Sequence, residues 1–248
     1  RSGLINAAAP IELSPGERVA LVGPSGCGKT TTLYAALNQI NILSDSIVTI
    51  EDPIEYQLPG INQVQVDYKI ERTFANTLRA VLRQDVNTLL VGEIRDEETA
   101  HIAVRAGVTG HLVFTTLHTR DAVGAITTLI NFGIPPFLVA GSVIGIVAQR
   151  LVRKICPHCQ EEYEPGESLL KEIGAEGKIV PGTKFSRGRG CSYCYHTGYH
   201  GRTGVFEVLT DVVQAAMASG MTTLYEDTLA KIKNKITSVE ELIRTVHI

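Results

Sequence analysis

Eight consecutive residues carry the most specific chemistry in this chain. Gly23-Pro24-Ser25-Gly26-Cys27-Gly28-Lys29-Thr30 fits G-x-x-x-x-G-K-[ST], the phosphate-binding loop of nucleotide triphosphatases. Glycines allow backbone N–H groups to turn inward around phosphate oxygens. In such a loop Lys29 reaches the β- and γ-phosphates, the Thr30 hydroxyl ligates Mg²⁺, and Thr31 is a further candidate contact at the helix start. A helix N-terminus adds partial positive charge beneath the anion. The competing interpretation is a glycine-rich turn without a ligand. The flanks argue against it: Val19 to Val22 is an apolar run typical of a buried strand, and Thr31 to Leu37 reads as a helix.

Hydrolysis also needs carboxylates near the phosphates. Leu89 to Gly92 is a buried-strand pattern ending in Glu93, which places an acid at a strand's carboxyl end, near Mg²⁺ and the γ-phosphate. A second acidic group, Glu51, Asp52 and Glu55, follows the β-rich run Ser46 to Ile50, and Pro53 stops that strand. One of these acids could orient or deprotonate the attacking water, or they could be exposed acids on a plain turn. His111 and His118 bracket the run Leu112 to Leu117. Both could face the nucleotide edge of the sheet, or one could be structural. Thr115, Thr116 and Thr119 offer hydroxyls for sensing the γ-phosphate. Arg79 and Arg95, with Arg72 and Arg83, are candidates for charge compensation, against the bland alternative of solvated surface.

Cys156-Pro157-His158-Cys159 and Cys191-Ser192-Tyr193-Cys194 form a C-x₂-C…C-x₂-C set. Four thiolates complete a closed tetrahedral Zn²⁺ shell, with His158 left as a bystander. Cys27 is the odd fifth cysteine, inside the phosphate loop. The count does not suggest a disulfide framework and fits a reducing compartment.

The elements that must position these residues alternate. Strands are expected at 18–23, 46–50, 63–66, 88–92 and 112–117, with helices at 29–40, 73–84, 97–106 (closed by Gly107) and 121–132. The fold class is therefore α/β: a P-loop, RecA-like core with a parallel-rich central sheet, a small zinc-binding subdomain and a C-terminal helical region. The expected division is residues 1–150, 151–204 and 205–248. The apolar stretch Phe137 to Ala148 is too short to span a membrane and reads as a buried helix. In the last part Val205 to Leu209 reads as a strand, and 211–218, 224–233 and 239–245 as helices. At 248 residues, 44% hydrophobic and 20% charged, the composition is globular. A net charge of −3 gives no support to a nucleic-acid footprint, and no secretory signal pattern is present. The first residue is not Met, as expected of a fragment or a processed chain.

Taken in order, these motifs resemble the secretion ATPases that drive type II secretion and type IV pilus assembly. The Gly23–Tyr34 stretch is similar to that family's Walker A segment. Glu51-Asp52-Pro53-Ile54-Glu55 resembles its Asp box, Val91-Gly92-Glu93-Ile94-Arg95-Asp96 its Walker B, and Thr109 to Thr119 its His box. The cysteine pairs resemble the metal-binding subdomain of the assembly and secretion branch. Two stretches depart from the pattern. Asp85-Val86-Asn87 stands where the family reads Asp-Pro-Asp, and Leu13 to Glu17 looks more like a transporter ATPase entry, although no L-S-G-G-Q signature follows.

The resemblance implies a homo-hexameric, cytoplasmic ATPase peripherally associated with the bacterial inner membrane. It would dock on an inner-membrane platform and other cytoplasmic-membrane components of a secretion or pilus apparatus, with no direct nucleic-acid partner. ATP with Mg²⁺ would sit between subunits. It assigns phosphate and Mg²⁺ binding to Lys29 and Thr30, water activation to Glu55 or Glu51, Mg²⁺ and γ-phosphate contact to Glu93, and sensing to His111 and His118. Two other readings stay open: a nucleotide-binding scaffold with little turnover, and a DNA-uptake or translocation ATPase.

Overall fold

The computed structural model describes residues 18–41, 45–174, 182–210 and 224–246. They divide into two compact units: 18–41, 45–148 and 208–210 in the first, and 149–174, 182–207 and 224–246 in the second. No helix among the described residues is long and apolar enough to cross a membrane.

The first unit alternates strands and helices. β1 (Arg18–Val22) enters the phosphate loop and α1 (Lys29–Ile40) leaves it. β2 (Ile47–Glu51), β3 (Asn62–Gln65), α2 (Phe74–Val81), β4 (Thr88–Val91) and α3 (Glu97–Val108) follow. β5 (Leu112–Leu117), α4 (Ala122–Asn131) and α5 (Pro136–Ser142) lead into β6 (Gly145–Ile155). In the first unit the strand order is β3-β2-β4-β5-β1 and then the start of β6; the rest of β6 and most of β9 (Tyr199–Thr210) belong to the second unit. The pairs β2/β3, β2/β4, β4/β5, β1/β5 and β1/β6 are all parallel. Consequently the carboxyl ends of β1, β2, β4 and β5 open on one edge, where a doubly wound sheet binds its ligand.

Short side chains fix where the helices begin. Thr73 accepts from the Asn76 N–H, Asp96 from the Thr99 N–H and Asp121 from the Gly124 N–H, each satisfying a donor the first helical turn leaves open. β2, β4 and β5 are buried along their whole length, as expected of parallel strands covered on both faces.

Two expectations change. Phe137 to Ala148 is not one buried helix. The helix ends at Ser142, Val143 turns extended, and Phe137 is 72% exposed. The β-branched Val143, Ile144, Ile146 and Val147 favour extension, and 145–148 finds ladder partners on β1, which a helix would forgo. Gly107 lies inside α3, which runs on to Val108. The glycine that leaves the helix is Gly110, at φ 102°.

The second unit holds an antiparallel hairpin of β7 (Gln160–Tyr163) and β8 (Phe185–Gly188), and the short α6 (Glu167–Glu172). It also holds α7 (Leu224–Lys233) and α8 (Val239–Thr245). The expected strand at 205–209 lies within the longer β9, and the expected helix at 211–218 falls outside the described residues.

Glu241 on α8 is fully buried. It accepts from the Arg153 N–H at 2.8 Å, Arg153 Nε at 3.0 Å and Nη2 at 2.7 Å, and from Arg244 Nε at 2.8 Å and Nη2 at 2.7 Å. Burial pushes this carboxyl up, but the Arg244 and Arg153 donors outweigh it and bring it down to about 2. An unfolded Glu titrates near 4.3, so the folded value is depressed. Its stabilisation is therefore full above about pH 4.3 and is lost as pH falls toward 2. Glu241→Gln should cost about 2–3 kcal/mol at pH 7, the buried-pair penalty reduced because both guanidinium groups are half in water. Urea unfolding should show the gap from wild type shrinking at pH 3. A gap independent of pH would contradict the assignment.

Candidate nucleotide site and tetracysteine centre

The phosphate loop takes the backbone its glycines permit. Gly23, Gly26 and Gly28 have φ of 142°, 76° and 89°, and Gly28 is the N-cap of α1. The helix therefore starts at Lys29, with its open N–H groups facing the loop. Pro24, Ser25 and Gly26 are exposed, Thr30 is half-buried and Thr31 exposed, whereas Cys27 is buried. Lys29 Nζ donates to the Gly23 carbonyl at 2.5 Å and to that of Pro24 at 3.3 Å, folding back over its own loop. Burial pulls its ammonium below the usual lysine range, against the pull of Cys27 and Glu93 in the other direction. An ammonium partly stripped of water and facing an open loop is disposed to accept an anion.

Glu93 follows β4 at this same edge and is buried to 8% exposure. Arg95 Nη2 donates to Glu93 Oε1, and His118 Nε2 to Oε2 at 3.2 Å. The bond to Glu93 is the chief reason the Arg95 guanidinium is held above its usual range. β4 and β5 are locked where they meet: the Thr116 hydroxyl donates to the Gly92 carbonyl at 2.7 Å, and the Ile94 N–H to the Thr116 carbonyl at 3.1 Å. A Cβ on Gly92 would lie 3.0 Å from the Ile50 carbonyl, so a larger residue there would have to press the backbone of β2 back by a few tenths of an ångström. Lys29, Glu93, Arg95 and His118 thus converge from three segments of one edge. Thr30 and Glu93 offer hard oxygen donors suited to Mg²⁺.

The structure does not bring every expected residue to this edge. His111 precedes β5, so six strand residues, about 20 Å at the usual rise, separate it from His118. Its Nδ1 is 2.9 Å from the Ala106 carbonyl and 3.2 Å from the Thr109 hydroxyl, which fits a cap on the turn leaving α3. Arg79 donates to Glu98 at 2.5 Å on the exposed surface where α2 meets α3. Arg72 and Arg83 are exposed. The Thr119 hydroxyl is taken up by the Asp121 carbonyl, and that of Thr115 is buried.

The acidic group after β2 separates into two kinds of carboxylate. Glu51 is 4% exposed, and both its oxygens are engaged: Tyr34 donates to Oε2, and Thr49 at 2.5 Å and Gln63 at 3.2 Å donate to Oε1. A carboxylate so occupied is poorly placed to take a proton from water, contrary to the water-activating role considered for it. Glu55 is exposed, on the loop beyond. Tyr34 and Gln63, which make this network, are not legible as site residues in a linear reading. The available signal is the pair of glutamines, 63 and 65, alternating on a strand next to an acidic cluster.

In the second unit the four cysteine sulfurs lie within 4.8 Å of one another, with Cys156–Cys191, Cys159–Cys194 and Cys191–Cys194 at 3.9, 3.8 and 3.7 Å. Four sulfurs about 2.3 Å from a tetrahedral zinc stand about 3.8 Å apart, so the donor set fits Zn²⁺. The Gly190 N–H donates to Cys159 Sγ, and those of Cys191 and Gly198 to Cys194 Sγ, all at 3.3 Å. Such bonds orient the sulfurs and stabilise thiolate. Burial raises the Cys194 thiol, but the Cys191 and Gly198 donors bring it down to about 6. A Cβ on Gly188 would lie 1.9 Å from the Gly198 carbonyl, so the close approach of the end of β8 to the bend before β9 demands glycine. The His158 ring packs against that of Tyr193, tilted by 49° with centroids 4.1 Å apart.

The family model described as "Type II/IV secretion system protein" matches residues 13–244. The type II secretion system protein E of Pseudomonas aeruginosa is 45% identical over 240 residues, covering 90% of this chain and 47% of its own length. The type IV pilus assembly ATPase PilB of Thermus thermophilus is 43% identical over 243 residues, covering 91% of this chain and 27% of its own. A crystal structure of the pilus retraction motor PilT with bound ADP superposes with a TM-score of 0.66 at 26% identity, covering 94% of this chain and 62% of that one. The chain spans about half the length of the type II secretion relatives it matches. With a family model spanning most of its length, and relatives that share nearly half its residues, the chain belongs to the type II/IV secretion system protein family.

Proposed function

We propose that this chain is the catalytic part of an ATP-hydrolysing motor that powers type II secretion or type IV pilus assembly. The observation that carries this reading is the convergence of Lys29, Glu93, Arg95 and His118 at the carboxyl edge of a parallel sheet, beside an open phosphate loop. A pure nucleotide switch has no need of a water-activating acid, the role read here for Glu55.

In this reading the loop N–H groups and Lys29 hold the β- and γ-phosphates. Thr30 and Glu93 would hold Mg²⁺, which would neutralise charge on the phosphate oxygens. Glu55 orients the attacking water and accepts its proton, while Arg95 and His118 fix the Glu93 carboxylate and answer the charge that develops on the phosphoryl group. Residues 1–150 form the ATPase core, 151–204 the tetracysteine module with Zn²⁺, and 205–248 the helical end. His111 and Arg79, directed away from the edge within one chain, have roles only if a second copy meets those surfaces. The working assembly is a homo-hexamer on the cytoplasmic face of the bacterial inner membrane, docked on the membrane platform of its apparatus and not on nucleic acid.

The direct test is Mg²⁺-dependent ATPase rate against protein concentration, in the full-length protein. Specific activity should rise steeply as copies assemble and then plateau. A flat specific activity would overturn the shared site. Binding without turnover at any concentration would favour the scaffold reading instead.

A further inference from the structure

The loop 52–58, which carries Glu55, is held by side chains from two other segments. From β3, Gln65 accepts from the Ile54 N–H at 3.4 Å, and Gln63 accepts from the Leu58 N–H at 2.7 Å. Gln63 Nε2 donates to the Tyr56 carbonyl at 3.2 Å. These three backbone bonds bracket Glu55 on both sides. The same Nε2 reaches Glu51 Oε1 at 3.2 Å and the Tyr34 hydroxyl at 3.4 Å. Tyr34 stands on α1, five residues after Lys29. Its ring meets that of Tyr56 edge-on, with centroids 4.7 Å apart. Burial, then the bond to Glu51, raises the Tyr34 hydroxyl well above the usual phenol range, so it stays a donor. The helix that begins at the phosphate loop and the loop that carries Glu55 are thus joined through one hydrogen-bonded cluster around buried Glu51.

We propose that Gln63 and Tyr34 are positioning residues for hydrolysis, with buried Glu51 as the fixed acceptor that aligns them. Together they set the Glu55 carboxylate relative to the phosphate loop. This rests on the reading of Glu55 as the water-activating acid. Gln63 acts through the backbone at Tyr56 and Leu58, and Tyr34 through its hydroxyl and its ring against Tyr56. Neither needs to touch ATP. Placement of a reacting group is sensitive: an error of about 1 Å costs on the order of a hundredfold in rate.

Four variants of the full-length protein test this: Gln63→Ala, Tyr34→Phe, Glu55→Gln and the double variant Gln63→Ala/Glu55→Gln. Gln63→Ala should lower kcat about 10–100-fold, because the 56–58 backbone loses its side-chain partner. The KM for ATP and the affinity for a fluorescent ATP analogue should stay within about threefold, since the phosphate loop is untouched. Tyr34→Phe keeps the ring contact and should lower kcat less, with the same unchanged KM. In single-turnover measurements the double variant should be no slower than Glu55→Gln alone, because a residue that acts through Glu55 has nothing left to position. A Gln63→Ala protein with wild-type kcat beside an inactive Glu55→Gln would overturn the proposal while leaving the hydrolytic reading intact. So would losses that multiply in the double variant, or a raised KM with lowered thermal stability. Should Gln63→Ala fail to fold, Tyr34→Phe decides alone: an unchanged kcat overturns the proposal. Wild-type turnover in Glu55→Gln would overturn the assignment of the acid itself.

Discussion

Glu93→Gln should leave ATP bound and almost unhydrolysed. The substitution keeps the side chain's size and its place after β4, so the packing of β4 against β5 survives, including the Thr116 to Gly92 bond, which uses only backbone on the β4 side. It removes the one negative charge that Arg95, His118 and Lys29 share. Removing a preorganised electrostatic group from a reaction site costs about 10²–10³ in kcat, and kcat should fall by at least that much. Affinity for ATP should change by no more than a few fold, because the loop N–H groups and Lys29 make the ground-state contacts. Arg95→Ala supplies the contrast. Its guanidinium is 58% exposed, so the pair adds little to stability, and any loss should appear in kcat and not in the melting temperature. Equal turnover in Glu93→Gln and wild type would remove the acid from the mechanism and with it the case for a motor.

Much of that site is visible in the linear chain because its parts are local. A phosphate loop is eight consecutive residues, and an acid after four apolar ones is a strand end wherever the strand packs. What the chain does not show is which of two similar residues reaches the edge. His111 and His118 are equivalent as a pair of histidines around an apolar run. Only the parallel pairing of β5 with β1 and β4 puts His118 beside Glu93 and His111 on the far side. Once the strand is called parallel, its six residues decide the matter, so this distinction was within reach of topology alone. Glu51 and Glu55 are harder to tell apart. Glu51 is silenced by a tyrosine 17 positions before it and a glutamine 12 positions after it, and neither has a motif spacing to it. Likewise Phe137 to Ala148 has the composition of a buried helix, and only the open side of β1 turns its second half into a strand. Local signals place elements and ligands; burial and hydrogen bonds from distant segments assign their roles.

Removing zinc should have the largest structural effect. Metal analysis of the purified protein should return about one Zn²⁺ per chain, the count for a closed four-thiolate shell. In isolated zinc modules at neutral pH the metal contributes about 10–16 kcal/mol, as much as a whole domain's stability. Cys156, Cys159 and Cys194, with Cys191 packed against them, are themselves this module's small buried cluster. Two turns close on sulfur through the N–H groups of Gly190, Cys191 and Gly198. Without the ion, the four sulfurs, three of them buried and Cys191 half-buried, lose the cation that compensates their thiolate charge and draws them to 3.7–3.9 Å. A strong chelator, or Cys194→Ser, should therefore raise amide exchange across 156–163 and 185–200 by orders of magnitude. β2, β4 and β5 should keep their protection, since their buried ladders lie in the other compact unit. Cys27→Ser should leave zinc content unchanged, because that thiol belongs to the phosphate loop. A metal-free protein with full protection at Cys156 to Gly198 would show that packing alone holds the four sulfurs at tetrahedral distances, and the centre would then have no claim to be a metal site.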